Sequence, residues 1–200
     1  MTIYETVILL KRLSTWFGFT DTALHWIQSY LSSRSFSVKT PKASSQSCPL
    51  TCGVPQGSVL GTLLFILYTT PLSSLINTSS IDNHLYADDT QLFISFSPNT
   101  FSDSIDHLLH VVNQINSWMT SNLLCLNPSK TEFLLIGFRD QLKKIPDPSF
   151  PLNPDSASTN TFTPTSPVRN LGVIFDQNLS FSDHITQLSR SCFMHIRDLR

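Results

Sequence analysis

The sequence predicts an α+β protein, an antiparallel sheet backed by helices, and three observations carry that reading. Helical and strand-like patterns interleave along the 200 residues without the strict strand-helix alternation of a parallel sheet. Residues 101–121 place Ile105, Leu108, Leu109, Val112, Ile115 and Trp118 at i, i+3, i+4 spacing, the mark of an amphipathic helix. Two short apolar runs, His84-Leu85-Tyr86 and Gln91-Leu92-Phe93-Ile94, flank a polar centre in the manner of a hairpin.

From the N-terminus, residues 3–17 set Ile3, Val7, Leu10, Leu13 and Phe17 at helical spacing, and the helix is expected to end near Gly18. A second helix follows Asp21, an N-cap candidate, with Leu24, Ile27, Tyr30 and Leu31 on one face. "SFSVKT" alternates as a strand, and "SQSCPLTCGV" is its expected partner. An apolar helix is predicted at 58–69. Pro71 lacks an N–H and crowds the preceding turn, so it should end or kink that helix before a further short turn to about Ile76.

Beyond a hairpin at 84–96 and the helix at 101–121, "LLCLNPSKTEFLLIGF" reads as strand, turn, strand. Residues 140–167 are rich in Pro, Ser, Thr and Asn and too poor in apolar side chains to fold alone, which predicts a long surface loop. "VRNLGVIFD" returns to strand, and a last helix begins at 182. No internal repeat is evident.

A hydrophobic content of 40% over this length allows one domain with a sizeable core. With 14% charged residues and a net charge of -1 there is no global basic field, so a nucleic-acid partner would need a local basic patch. "MTIYETVILLKRLSTWFGF" has no small-residue cleavage site behind an apolar core, and so does not read as a signal peptide. The longest apolar run, Val59 to Tyr68, is short of the roughly 20 residues a membrane span needs. The expectation is a soluble, intracellular chain with no membrane partner. Cys48, Cys52, Cys125 and Cys192 are scattered and support neither a disulfide framework nor a zinc site. His107 and His110 share a helical face, but two nitrogens without a third ligand read as surface residues.

The polar centre of the hairpin, "NHLYADDTQLFISF", sets Asp88 and Asp89 side by side. Two readings are open. Aspartate is common in turns because its side chain bonds the local backbone, so both can be solvated tip residues. Alternatively, adjacent carboxylates offer the hard oxygen ligands that Mg²⁺ takes together with substrate phosphates. Three further stretches bear on the choice. "GVPQGSVLG" (Gly53 to Gly61) puts glycines and a proline at the mouth of a helix, where free N–H groups and close backbone approach suit a nucleotide, although the glycines can equally serve the turn alone. "LNPSKTEFLLIG" sets Lys130 just before a strand, where it can also be an exposed turn lysine, and "NLGVIFD" forms a small hairpin-like element.

In this order, with YADD between the first two, these motifs closely resemble the palm region of reverse transcriptases of non-LTR, LINE-type retrotransposons. The resemblance runs across nearly the whole chain and is weakest at 140–167. It implies template-directed DNA synthesis on an RNA template and DNA primer, in which the primer 3′-hydroxyl attacks the α-phosphate of a dNTP with two Mg²⁺ (or Mn²⁺) ions as cofactors. On the matching positions Asp88 and Asp89 are the implied metal ligands and catalytic carboxylates. Tyr86 and Ala87 would shape the turn beside the primer end, and Pro55, Gln56, Gly57 and Ser58 would line the nucleotide and template pocket. Lys130 would protonate the departing pyrophosphate, and Leu171 and Gly172 would belong to the primer grip. The implied organisation is a palm fragment at 1–139, a loop at 140–167, and a primer-grip strand with the start of a thumb helix at 168–200.

One part of the pattern departs. The family carries another catalytic aspartate on an upstream strand; Thr2-Ile3 match the segment just after it, Tyr4-Glu5 stand where Asp-His is usual, and Met1 falls at the aspartate itself. Glu5 sits in or next to a helix and is a poor geometric substitute. The expectation is therefore a fragment lacking the first catalytic strand and the fingers, inactive as a polymerase. A nucleic-acid-binding remnant and a functionless product of a truncated element stand as alternatives. A nuclear location would follow only from the family's use of chromosomal DNA as primer.

Overall fold

The computed structural model describes residues 3–50, 58–145, 147–151 and 161–199. Its elements are α1 (Ile3–Phe17), α2 (Asp21–Leu31), β1 (Ser35–Phe36), β2 (Cys48–Pro49), α3 (Val59–Asn77), β3 (Asp82–Tyr86), β4 (Asp89–Phe93), α4 (Phe101–Ser121), α5 (Arg139–Leu142), β5 (Phe150–Pro151), β6 (Thr161–Phe162), β7 (Val168–Asn170), β8 (Val173–Phe175) and α6 (Ser182–Asp198). The mixed class and the antiparallel pairing agree with the sequence. The single predicted sheet does not: among the described residues there are four two-stranded ladders, β1-β2, β3-β4, β5-β6 and β7-β8. Every ladder joins strands that are neighbours in sequence, and no strand exceeds five residues, so each pairing closes locally.

The chain divides into two compact units, Met1–Ile94 with His110–Leu126, and Ser95–Leu109 with Asn127–Arg200. In the first, Leu9, Leu13, Ile27, Leu31, Leu64 and Tyr68 form the core cluster joining α1, α2 and α3. The seam of α1 is rotated from the predicted one. Leu9 is fully buried while Val7 is 60% exposed, because four consecutive apolar residues, Val7 to Leu10, allow more than one helical stripe. Gly18 ends α1 with φ +68, the left-handed conformation common just past a helix C-terminus, and the Phe19 N–H reaches back to the Leu13 carbonyl at 2.9 Å. Thr20 rather than Asp21 occupies the N-cap of α2.

The helix α3 runs through Pro71 instead of ending there. Leu72 and Ile76 are 2% and 0% exposed, so burial beyond the proline holds the helix together. Thr70 Oγ1 also donates to the Ile66 carbonyl at 2.9 Å in the turn where Pro71 offers no N–H. This extension overturns the argument that the apolar stretch is too short: by length and composition alone, α3 could cross a membrane. One side of it, Gly61, Leu64, Tyr68, Leu72 and Ile76, is buried, while Val59, Leu63 and Ile66 are exposed.

Residues 124–127 and 131–138 are not the predicted paired strands. Asn127 instead caps a 3₁₀ turn at Pro128–Lys130, and the following extended stretch makes isolated bonds, Thr165 N–H to Phe133 O at 2.8 Å and Gly137 N–H to Gln177 O at 3.0 Å. The Pro- and Ser-rich region acquires local order where its few aromatics meet: Phe133, Phe150 and Phe162 contact in series, with centroids 4.9 and 5.9 Å apart.

Candidate functional site

The β3-β4 hairpin is the best-defined element bearing candidate residues. Its register pairs Asp82 with Phe93, Asn83 with Leu92, His84 with Gln91, Leu85 with Thr90 and Tyr86 with Asp89. A two-residue turn, Ala87-Asp88, closes it. Ala87 has φ +53, the left-handed backbone that such tight hairpin turns require at their first central residue. An Ala there costs about 1 kcal/mol relative to glycine. Strand alternation places Tyr86 and Asp89 on one face with His84 and Gln91. Tyr86, Ala87, Asp88 and Asp89 are all exposed, Tyr86 by 59%.

The root of the hairpin is fixed to helices. Asn83 Nδ2 donates to Asn77 Oδ1 of α3 at 3.0 Å, and Ser79 Oγ lies 3.4 Å from Gln114 Oε1 of α4. Ile76 and Ile81, 0% and 4% exposed, bury the connection. The same unit holds a polar network between α1, α3 and the end of α4 that sequence reading missed. The Arg12 guanidinium donates to the Tyr68 carbonyl and to Asn122 Oδ1, and sits 4.6 Å from the Tyr68 ring centroid and 5.3 Å from that of Trp118. Tyr68 Oη donates to the Asn122 carbonyl at 2.5 Å, and Asn122 Nδ2 to the Trp118 carbonyl at 2.6 Å. Burial pushes the Arg12 pKa down and the Tyr68 pKa up, each partly offset by the other group. A signal was available: Arg12 is a cation beside Leu9 and Leu13 on the buried side of α1.

Of the other candidates, Pro55, Gln56 and Gly57 lie outside the described residues. Ser58 is the N-cap of α3, but its side chain makes no cap bond, and its hydroxyl is buried without a partner among the described residues. Lys130 is exposed at the end of the 3₁₀ turn. That turn is set by Asn127, whose Oδ1 accepts from Ser129 N–H at 3.1 Å and Ser129 Oγ at 2.6 Å. Leu171 and Gly172 form the two-residue turn of the β7-β8 hairpin with φ +45 and +88, the type I′ requirement of two positive φ values.

Asp88 and Asp89 therefore come together on one exposed turn, while Lys130 and Leu171-Gly172 belong to the second unit. Hard carboxylate oxygens open to solvent suit Mg²⁺, which keeps water and substrate phosphates among its ligands. Among the described residues, no three or more His, Cys, Asp or Glu side chains gather where they could hold a metal ion. Asp88 and Asp89 thus offer one pair of hard oxygen donors, fewer than enclose an ion by themselves.

Comparison with known proteins gives a consistent result. Residues 3–175 match the family model described as reverse transcriptase (RNA-dependent DNA polymerase). The chain is similar to the probable RNA-directed DNA polymerase from transposon BS of Drosophila melanogaster, 28% identical over 179 residues, covering 87% of this chain and 19% of that protein. It is similar to the probable RNA-directed DNA polymerase from transposon X-element of the same species, 28% identical over 166 residues, 81% of this chain and 17% of that protein. The RNA-directed DNA polymerase from mobile element jockey of Drosophila funebris is 25% identical over 170 residues, 82% of this chain and 17% of that protein. The chain thus spans less than a fifth of the length of these relatives. No solved structure gives a significant match.

Proposed function

Because the chain belongs to the reverse transcriptase (RNA-dependent DNA polymerase) family, we propose that it is a palm fragment of a LINE-type element carrying the YADD part of a template-directed DNA polymerase site. The observation that carries this reading is the β3-β4 hairpin, which holds Asp88 at its tip and Asp89 opposite Tyr86. In this proposal Asp88 and Asp89 hold divalent metal, Mg²⁺ or Mn²⁺. The metal supplies charge neutralisation at the α-phosphate and at the attacking and leaving oxygens. Tyr86, on the same face as Asp89, packs against the primer end. Pro55, Gln56, Gly57 and Ser58 border the dNTP and RNA template. Lys130 donates the proton to departing pyrophosphate, and Leu171-Gly172, on their rigid turn, grip the DNA primer ahead of a thumb that begins with α6.

These 200 residues do not complete the site alone. Two ions in octahedral coordination need carboxylates from more than one element, and this hairpin supplies a single pair. An intracellular setting, with the nucleus as the place where a chromosomal primer is met, belongs to the same proposal. The test is primer extension on an RNA template with Mg²⁺ or Mn²⁺, comparing this chain with Asp88→Ala. The expected result is no extension by either. Extension by the unaltered chain that disappears with Asp88→Ala would overturn the need for a further carboxylate.

A further inference from the structure

Between Asp21 and Asp82 the sequence carries three cations, Arg34, Lys39 and Lys42, and no acidic residue. A chain of net charge -1 therefore holds a local positive excess around α2 and the β1-β2 hairpin. The helix α2 turns Ile27 and Leu31 into the core at 7% and 6% exposure, yet leaves Trp26 57% exposed. That indole lies flat along Tyr30, with ring centroids 5.9 Å apart and planes 12° from parallel. The Arg34 guanidinium follows, 5.9 Å from the Tyr30 ring centroid, with Nε donating to the Leu31 carbonyl at 3.3 Å. Aromatic and basic groups thus run in series off the end of α2.

Lys39 and Lys42 are exposed on the next turn. It is closed by Thr40 N–H to Ala43 O at 2.8 Å and Ser45 N–H to Val38 O at 2.9 Å, so its backbone is set before any ligand arrives. An exposed tryptophan held in a stack keeps one π-face available at little entropic cost, and sequence-tolerant stacking on such faces beside cations is how single strands are bound. The exposed charges of Lys39 and Lys42 attract a polyanion.

We propose that α2 and the β1-β2 hairpin form a single-stranded nucleic-acid surface, with a base stacking on Trp26 and phosphates lying against Lys39 and Lys42. It rests on the polymerase reading and adds a contact for the template strand on residues other than those of the YADD hairpin. The cations supply affinity and its salt dependence, while Trp26 supplies the preference for unpaired bases.

The test is fluorescence anisotropy with a labelled oligouridylate RNA of about 12 nucleotides, a length within the usual site sizes of single-strand binders. Trp26→Ala is expected to weaken binding about tenfold at constant salt, with Trp26→Phe recovering most of the loss. Lys39→Gln with Lys42→Gln should flatten the slope of log affinity against log salt by about 1.4, for two phosphates released from contact with a single strand. All three positions, Trp26, Lys39 and Lys42, are exposed, and far-UV circular dichroism checks that the fold is kept. Binding by the unaltered chain that none of these changes affects would overturn this surface and leave the polymerase reading standing. No RNA binding by the unaltered chain at low salt would overturn both. An acidic peptide bound as tightly as the RNA would overturn the stacking role.

Discussion

Replacing Arg12 with methionine keeps an aliphatic stem between α1 and α3 and deletes the guanidinium that joins three helices. Lost with it are two charge-assisted hydrogen bonds, to the Tyr68 carbonyl and to Asn122 Oδ1, and the contacts with the Tyr68 and Trp118 rings. Hydrogen bonds to charged groups contribute about 1.5–3 kcal/mol each, and both acceptors are left half-buried without that donor. Removing the cation also removes its desolvation cost, which offsets part of the loss. The net expectation is a destabilisation of about 3 kcal/mol, the range for breaking a buried polar network. For a chain of this size that lowers Tm by roughly 6–12 °C. Urea unfolding followed by tryptophan fluorescence reads the change, because Trp118 lies within the cluster. Arg12→Lys should recover only part of it, since an ammonium lacks the planar fork that reaches two acceptors at once. A change below about 0.5 kcal/mol for Arg12→Met would refute the reasoning.

Three further outcomes are expected. Leu171→Asn should stabilise the β7-β8 hairpin by about 1 kcal/mol in thermal unfolding, because asparagine tolerates the positive φ that leucine occupies under strain and Asn-Gly is the favoured type I′ pair. Ser58→Ala should leave stability unchanged or raise it by up to about 1 kcal/mol, as the hydroxyl it removes is buried without a partner among the described residues; a clear loss in urea unfolding would show that the hydroxyl is satisfied. Asp176 is held below the ordinary carboxylate range, foremost by the Ser180 N–H and then by those of Asn178 and Phe181. Its contribution is complete above the unfolded pKa of about 3.9 and is lost as pH falls through the lower folded value. The protection of the Asn178, Ser180 and Phe181 amides, measured against their intrinsic exchange rates, should therefore fall in acid, and Asp176→Asn should remove that pH dependence.

Much of the fold was legible because local patterns decide it. The helices α2 and α4 follow their apolar spacing, β1-β2 pairs as the alternation indicates, and the YADD and Leu171-Gly172 turns need only adjacent residues. The register of α1 was not legible, since Val7 to Leu10 are all apolar and only packing chooses among the stripes they allow. The continuation of α3 past Pro71 depends on burial of Leu72 and Ile76, which local propensity does not weigh. The Arg12 network escaped for a related reason: its partners lie 56 and 110 positions away in sequence. At the site, residue identities carried the family while spacing alone left the aspartates ambiguous. The exposed face shared by Tyr86 and Asp89 emerged only from the ladder register.

The most direct measurement is paramagnetic broadening of amide signals by Mn²⁺ in the presence of an RNA template, DNA primer and dNTP. The account predicts selective broadening at Tyr86, Ala87, Asp88 and Asp89 that disappears with Asp88→Ala. Broadening that is centred elsewhere, or that survives Asp88→Ala unchanged, would contradict the assignment of the hairpin as a polymerase metal site.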